Sequence, residues 1–185
     1  PSGVLRVVDG AVPRFVFTPD SARRVSYLRV NGVLVTASPA YQFAPVHANQ
    51  TLFVQFSPVT YAWTPPSDPG NFAVPTNWTP PRETPMPDDI LVFGDTHVTT
   101  VTDVPTQGIG QLRVTGNSFV SLGSSGVKTL TWNGLDGDDL VVGPGATLVI
   151  GGSAGSLELT LPTGATGRVD GTLSLSQGNS RVFAA

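Results

Sequence analysis

The sequence contains no cysteine and little charge, and both shortages exclude whole classes of function. Without cysteine there can be no disulfide, thiolate nucleophile, Fe–S cluster or thiolate zinc site. Only 12% of the residues are charged, the net charge is -3, and Lys128 is the one lysine among ten basic residues. So few cations cannot form the basic surface that nucleic-acid binding requires. We therefore expect no nucleic-acid partner.

Long apolar runs are also missing. No stretch approaches the roughly 20 apolar residues that a membrane-spanning helix needs, and no charged leader precedes an apolar segment. We expect no membrane span. Because the sequence starts at Pro1 without methionine, we expect it to be a mature piece of a longer protein.

Residues for catalysis are scarce. The two histidines, His47 and His97, are each more typical of exposed or edge positions than of a catalytic triad, and the Gly- and Ser-rich residues 123–126 and 152–155 are interpreted as flexible turns. Asp88 and Asp89 are adjacent, so in a strand their side chains would point to opposite faces and could not share one substrate. A role at the start of a strand is the favoured interpretation. We predict no catalytic site and no enzyme activity.

One acidic turn could approach a metal ion. Asp136, Asp138 and Asp139 place three carboxylates close together, and Ca²⁺ takes six to eight oxygen ligands. Three carboxylates do not complete that shell, and the spacing matches no calcium-loop motif. A solvated turn between strands is the favoured interpretation, with Ca²⁺ kept as a weak candidate and no other cofactor expected.

Short apolar runs dominate the second half of the chain. They recur every 18 to 25 residues between turns rich in Gly, Asn, Asp and Ser, at Leu112–Val114, Leu130–Trp132, Leu148–Ile150 and Leu173–Leu175. Strands this short gain stability only by stacking on one another. The pattern over residues 88–185 predicts an all-β fold, a β-solenoid, with a β-sandwich as the alternative.

The first 57 residues form a different pattern of strand-length runs. The dipeptide Asn31-Gly32 lies between two of these runs and favours a tight primed turn, so residues 25–35 are predicted to form a hairpin. We expect residues 1–57 to be a small β-rich module.

This module resembles a known bacterial repeat. Phe15-Val16-Phe17-Thr18-Pro19-Asp20, Leu28 to Gly32, Tyr41-Gln42-Phe43 and His47 to Phe56 follow the order of the divergent InlB-type repeat over about residues 14–56. Ala22-Arg23 departs from that pattern, where the family usually has glycine and an aromatic residue. The resemblance implies a small β-rich module that occurs in tandem on large secreted bacterial proteins as a spacer.

Residues 58–87 contain nine of the 17 prolines. Such density is expected to prevent both strand pairing and helix formation, so the segment is predicted to be a connector. It also carries Tyr61, Trp63, Phe72 and Trp78, which a freely moving linker would rarely expose. We therefore expect an ordered connector that packs along a neighbouring module.

A second resemblance begins within this connector. Asn77-Trp78, Pro85 to Gly94, Ile109 to Leu112 and Gly171 to Leu175 are similar to the repeats of bacterial surface β-helix and autotransporter-like proteins. This resemblance implies a β-solenoid on a bacterial surface.

Two functions fit these features. The first is a structural extracellular protein, either a cell-surface adhesin fragment or a secreted filament subunit, which associates with itself or with neighbouring modules through β-strands. The second is a carbohydrate-binding module of a secreted enzyme, in which Trp63, Trp78 and Trp132 form an exposed platform for surface glycans. Packing between modules is the favoured interpretation of these tryptophans, so the structural function is favoured.

Overall fold

The protein is all-β. The structure is a computed structural model that describes residues 3–19, 23–94, 98–151 and 155–176, together with the backbone of residues 181–184. Strands make up 48% of it, and they include a β-solenoid of about four turns. The chain divides into two compact units, Pro1–Ser57 and Pro58–Ala185.

The first unit consists of short antiparallel pairs around a small apolar centre. Its strands are β1 (Arg14–Val16), β2 (Arg23–Val30), β3 (Val33–Val35), β4 (Ala40–Gln42) and β5 (Leu52–Pro58). Strand β1 pairs with β4, while β2 lies between β3 and β5. Leu28 and Phe43 are buried, and the rings of Phe15 and Tyr41 pack edge-on against Phe43.

The predicted hairpin is confirmed. Strands β2 and β3 are antiparallel, with Val30 paired to Val33 across a two-residue turn. Asn31 and Gly32 have φ angles of 51° and 78°. Positive φ at both central residues defines the type I′ turn, which Asn-Gly adopts more readily than most dipeptides.

The second unit is a solenoid with three faces. The first face consists of β6 (Thr60–Trp63), β9 (Ile90–Phe93), β12 (Gln111–Val114), β15 (Leu140–Val142) and β18 (Gly167–Val169). The second face consists of β7 (Gly70–Asn71), β10 (Val98–Thr102), β13 (Phe119–Leu122), β16 (Thr147–Ile150) and β19 (Thr172–Leu175). The third face consists of β11 (Gln107–Ile109), β14 (Lys128–Trp132), β17 (Leu157–Leu161) and β20 (Arg181–Ala184). The chain visits the three faces in this order on each complete turn.

Neighbouring strands within each face are parallel and in register. Leu91, Leu112 and Leu140 are paired in sequence on the first face, and Val120 and Leu148 are paired on the second. A sandwich of two antiparallel sheets would pair its strands in the opposite sense. The sandwich alternative is therefore wrong, and the predicted solenoid is confirmed.

The structure corrects the spacing of the repeat. The runs at Leu112, Leu130 and Leu148 lie on the first, third and second faces respectively, so their spacing of 18 residues is not one turn. Only the step from Leu148 to Leu173 joins successive strands of one face. One turn carries three apolar runs, and similar runs on different faces cannot be distinguished by composition alone.

The expectation that the prolines of residues 58–87 prevent strand pairing is wrong. Strand β6 pairs in parallel with β9, and a short strand β8 (Trp78–Thr79) pairs antiparallel with β6. Eight of the nine prolines lie in the loops that flank these strands or in a 3₁₀ turn, Pro75–Asn77, and Pro58 is the last residue of β5. They therefore leave free the few backbone groups that the ladder needs. This segment forms the first, incomplete turn of the solenoid.

The interior of the solenoid is a continuous apolar stack. Alternate residues of each strand point inward, and on the central turns these side chains are fully or almost fully buried. Examples are Leu91, Leu112, Val120, Leu130 and Leu159. Each turn therefore covers the apolar surface of the turn before it.

A close backbone approach constrains one corner of the last turn. Gly171 connects β18 to β19, and a Cβ atom at this position would overlap the carbonyl oxygens of Ala146 and Gly143 on the previous turn. Backbone oxygens that belong to the ladder cannot move away cheaply. Gly126 lies in another loop, and a Cβ atom there would meet no heavy atom within 4 Å.

Replacing Gly171 with alanine should destabilise the solenoid by about 1–3 kcal/mol, the usual cost of overpacking. Chemical unfolding followed by tryptophan fluorescence measures this cost. All three tryptophans belong to the solenoid unit, so the signal reports on that unit alone. Gly126→Ala is the matched control and should change stability much less. Equal effects of the two substitutions would contradict the close approach.

Candidate functional site

The three tryptophans lie in the interior of the solenoid. Trp63, Trp78 and Trp132 are each at most 1% exposed. Each indole N–H has a partner, because Trp63 donates to Thr99 Oγ1 at 3.0 Å, Trp78 to the Phe72 carbonyl at 2.9 Å, and Trp132 to the Asp139 carbonyl at 2.7 Å. Buried indoles need such partners to offset the loss of water.

The prediction of exposed tryptophans is therefore wrong. A platform for sugar rings needs an accessible aromatic face, whereas all three rings are buried. Trp78 packs edge-on against Trp63, Phe72 and Phe93, and Trp63 also packs at a tilt against Phe93. The interpretation that they serve packing agrees with their burial. All three rings belong to the same apolar core as the leucines and valines of the solenoid. The proline-rich sequence around Trp63 and Trp78 does not predict this burial.

The structure assigns different roles to the three residues proposed for calcium. Asp139 is buried, and its carboxylate accepts the backbone N–H groups of Leu135 and Thr166 at 3.1 Å and 2.9 Å. The exposed Asp138 lies 3.6 Å from the guanidinium of Arg168. The backbone carbonyl of Asp136 accepts a hydrogen bond from Gln111.

Asp139 therefore holds the corner of the solenoid where the chain enters the first face. Both of its carboxylate oxygens already accept backbone hydrogen bonds. Among the described residues, no group of three or more His, Cys, Asp or Glu side chains could hold a metal ion. The expectation of a solvated turn is wrong for Asp139, since a carboxylate can be buried once its oxygens accept hydrogen bonds.

A second buried carboxylate lies at the start of β9. Asp89 Oδ2 accepts a hydrogen bond from Arg82 Nε at 2.7 Å and another from the Met86 backbone N–H at 2.9 Å. Arg82 also donates to Gln107 Oε1, and its side chain is only 2% exposed. We call Arg82, Asp89 and Gln107 the first-turn polar cluster. The predicted role of Asp89 at the start of a strand is confirmed.

The electrostatics of this cluster are those of a desolvated ion pair. Burial raises the pKa of Asp89, and the hydrogen bonds from Met86 and Arg82 act against that rise. The Arg82 guanidinium also lies within about 6 Å of the ring centres of Tyr61, Phe72 and Trp78, where their π faces favour a cation. Asp89 Oδ1 and Gln107 Nε2 are buried without a protein partner.

Of the two histidines, the structure describes His47, which lies at the surface of the first unit. His47 Nδ1 lies 3.0 Å from Asp9 Oδ1, and both side chains are largely exposed. A surface contact of this kind contributes little to stability. His97 lies outside the described residues, so its predicted edge position stays a prediction.

The two ends of the solenoid ladder differ. At the first turn, β8 covers the edge of β6 on the first face, while β7 and β11, the first strands of the second and third faces, each have one neighbour among the described residues. At the last turn, β18, β19 and β20 each have one neighbour among the described residues, namely β15, β16 and β17. The outer sides of these three strands form the open edge. An open edge carries unpaired N–H and C=O groups that can accept another strand.

The orientation of the backbone groups on β19 follows from the register. Thr172 and Ser176 donate to carbonyls of the previous turn, those of Ala146 and Ile150. Backbone groups of a parallel strand point alternately to its two neighbours. The N–H and C=O groups of Leu173 and Leu175 therefore point outward at the open edge.

The side chains at the open edge are incompletely covered. Val169 and Leu175 continue the inward stacks of the first and second faces, yet they are 46% and 48% exposed. Their equivalents on the previous turn, Val142 and Ile150, are fully buried. The open edge thus combines unpaired backbone groups with apolar side chains, which makes it the candidate functional site.

Sequence reasoning missed the first-turn polar cluster. A signal for part of it was present, because Asp88-Asp89 and Asp138-Asp139 each precede an apolar run that forms a first-face strand. That repetition indicates a corner position better than a catalytic pair. Arg82 had no comparable signal, because its burial depends on aromatic residues that surround it only in the folded structure.

Comparison with protein-family models, curated proteins and solved structures finds no match for this chain. Within the part of the chain that the structure describes, no helix has the length and apolar character needed to cross a membrane.

Replacing Asp89 with asparagine should destabilise the solenoid by about 3–5 kcal/mol, because Arg82 would remain buried without a counter-charge. Urea unfolding followed by tryptophan fluorescence measures the loss. Glu83→Gln removes one negative charge from an exposed neighbouring position and should change stability by less than about 0.5 kcal/mol. If Asp89→Asn behaved like the control, the ion pair would not stabilise the first turn.

Proposed function

We propose that this chain is a structural extracellular protein of a bacterial surface. Its solenoid supplies a rigid segment, and its open edge accepts a further β-strand, so that the protein forms a fibre or contributes to a surface adhesin. The role is mechanical and adhesive, not enzymatic.

The open edge is the observation that carries this proposal. A ladder with unpaired backbone groups and half-exposed apolar side chains gains free energy when another strand covers it. Each added strand would satisfy backbone groups and extend the interior stack in one step. Edge addition of this kind is a recurrent way for β proteins to bind extended segments.

Two features of the sequence support the same function. The resemblance of about residues 14–56 to InlB-type repeats, and of the second half to surface β-helix repeats, favours an extracellular bacterial location. The low density of charge lets copies approach without strong repulsion.

The buried tryptophans and the corner carboxylates give no comparable support to glycan binding or to hydrolysis. Trp63, Trp78 and Trp132 stabilise the core. Asp89 and Asp139 accept hydrogen bonds within the protein.

Replacing Leu175 with proline should weaken assembly through the open edge. Proline removes an N–H that points outward, while the ladder bonds of Thr172 and Ser176 to the previous turn remain. Leu175→Thr is the matched control, because it shortens the same side chain but keeps the N–H. Sedimentation velocity measures the size of the assemblies, and negative-stain electron microscopy shows whether they are filaments.

We expect the native chain and Leu175→Thr to form polymers and Leu175→Pro to remain in small species. The absence of polymers for the native chain at any concentration would contradict the proposed assembly. Polymers that form equally well with Leu175→Pro would exclude this edge as the site.

A further inference from the structure

The first unit contains a mainly apolar segment that pairs with no strand in the described structure. Residues 3–8 read Gly-Val-Leu-Arg-Val-Val, and every one of them is exposed. Val4 is 91% exposed, Leu5 64% and Val8 79%. Val and Leu favour strands when a sheet is available to cover them. We call residues 3–8 the donor segment.

The donor segment leads into an anchored turn. Gly10 donates to the Val46 carbonyl, Val46 donates to the Ala11 carbonyl, and Ala11 donates to the Val8 carbonyl. From Gly3 to Val7 no backbone group has a hydrogen bond among the described residues. Residues 3–7 therefore have backbone groups available for pairing next to an anchored turn.

We propose that the donor segment of one copy of this chain adds in parallel to the open edge of β19 in a second copy. The proposal rests on the assembly through the last turn proposed above and names the strand that completes it. In this register Val4 lies opposite Thr172, Leu5 opposite Leu173, Arg6 opposite Ser174, and Val7 opposite Leu175.

The backbone groups match in this register. The outward groups of β19 belong to Leu173 and Leu175. Under the parallel pattern, the N–H groups of Arg6 and Val8 would donate to the carbonyls of Leu173 and Leu175 respectively. The N–H groups of Leu173 and Leu175 would in turn donate to the carbonyls of Val4 and Arg6. The Val8 N–H has no bond in the described structure. Four ladder hydrogen bonds would form without breaking any.

The side chains match as well. Leu5 and Val7 would point inward and continue the stacks that end in Leu173 and Leu175. Leu175 is 48% exposed, so a strand in this position would cover apolar surface on both partners. Arg6 would point outward beside the neutral Ser174.

Charge distinguishes β19 from the neighbouring strand β18. A donor segment that placed Leu5 and Val7 inward on β18 would bring Arg6 opposite Arg168, whose guanidinium already pairs with Asp138 at 3.6 Å and with Asp170 at 3.4 Å, so Arg6 would have to compete for the same carboxylates. Like charges that face each other directly across a sheet are unfavourable. Strand β19 carries no charged residue, so it is the compatible acceptor.

The consequence is an open polymer. The donor belongs to the first unit and the acceptor to the second, so the contact joins two different surfaces. A contact between different surfaces leaves one donor and one acceptor free after each addition, and it grows into a filament unless it closes into a ring.

Cysteine cross-linking tests this pairing directly, because the chain has no native cysteine. One preparation carries Arg6→Cys, and a second carries Ser174→Cys and a tag that changes its mass. Opposed residues on adjacent strands lie within the Cα separation that a disulfide permits. We expect the mixture to form a tagged-to-untagged disulfide under mild oxidation.

The control pairs Arg6→Cys with Arg168→Cys on β18. Position 168 is on the same turn and is exposed, and we expect it to give about tenfold less mixed disulfide because its Cα is too far from the donor. Similar yields from both pairs, or none from either, would overturn the proposal. So would a cross-link within a single copy of the double variant Arg6→Cys, Ser174→Cys, because it would place the donor on its own chain.

The outcomes separate this inference from the proposed function. If filaments form without the mixed disulfide, another strand, such as a following part of the chain, covers the open edge and the donor assignment is wrong. If no filaments form, the assembly itself is wrong. A synthetic peptide of residues 3–8 should reduce polymer length by occupying β19, whereas the same peptide with Arg6→Pro should not. Failure of the first peptide to shorten the polymers would also count against the donor segment.

Discussion

The parallel backbone ladder between turns is the interaction on which the solenoid depends. Its strands contain only two to five residues, so none of them can bury an apolar face without the turns above and below. In-register pairing stacks leucine on leucine through the interior and satisfies the backbone groups of each strand on both sides. In such a structure, the strands of the central turns have neighbours on both sides, whereas the strands of the end turns leave one side exposed. The coverage of the end turns therefore decides how much apolar surface the solenoid leaves exposed.

The first turn shows how an end can be covered. Aromatic side chains fill the interior beside β6, and β8 pairs with the edge of that strand. Arg82 and Asp89 lie within this cap as a buried ion pair, which orients the loop that leads into β9. Two buried carboxylates, Asp89 and Asp139, hold corners of the solenoid by accepting backbone N–H groups. Among the described residues, no further strand covers β18, β19 or β20 on the last turn.

Local signals predicted much of this fold. Asn31-Gly32 specified a turn whose φ angles depend on those two residues, and the short apolar runs predicted stacked strands because no other arrangement could bury them. The three-faced repeat could not be predicted, because runs on different faces look alike and the loop lengths that separate them vary. The proline-rich first turn was also missed, since proline limits pairing only where a ladder bond falls on it. The open edge could not be placed from sequence, because it depends on which strand lacks a neighbour.

Amide hydrogen exchange of the assembled protein tests the central claim most directly. The outward backbone groups of Leu173 and Leu175, and those of residues 3–7, have no partner among the described residues of a single copy, and addition of one strand to the other would protect both. Mass spectrometry of peptides from these two segments should show their protection rising together with protein concentration, while the Asn31-Gly32 turn stays unchanged. Polymers in which both segments exchange as rapidly as in the single copy would contradict the account.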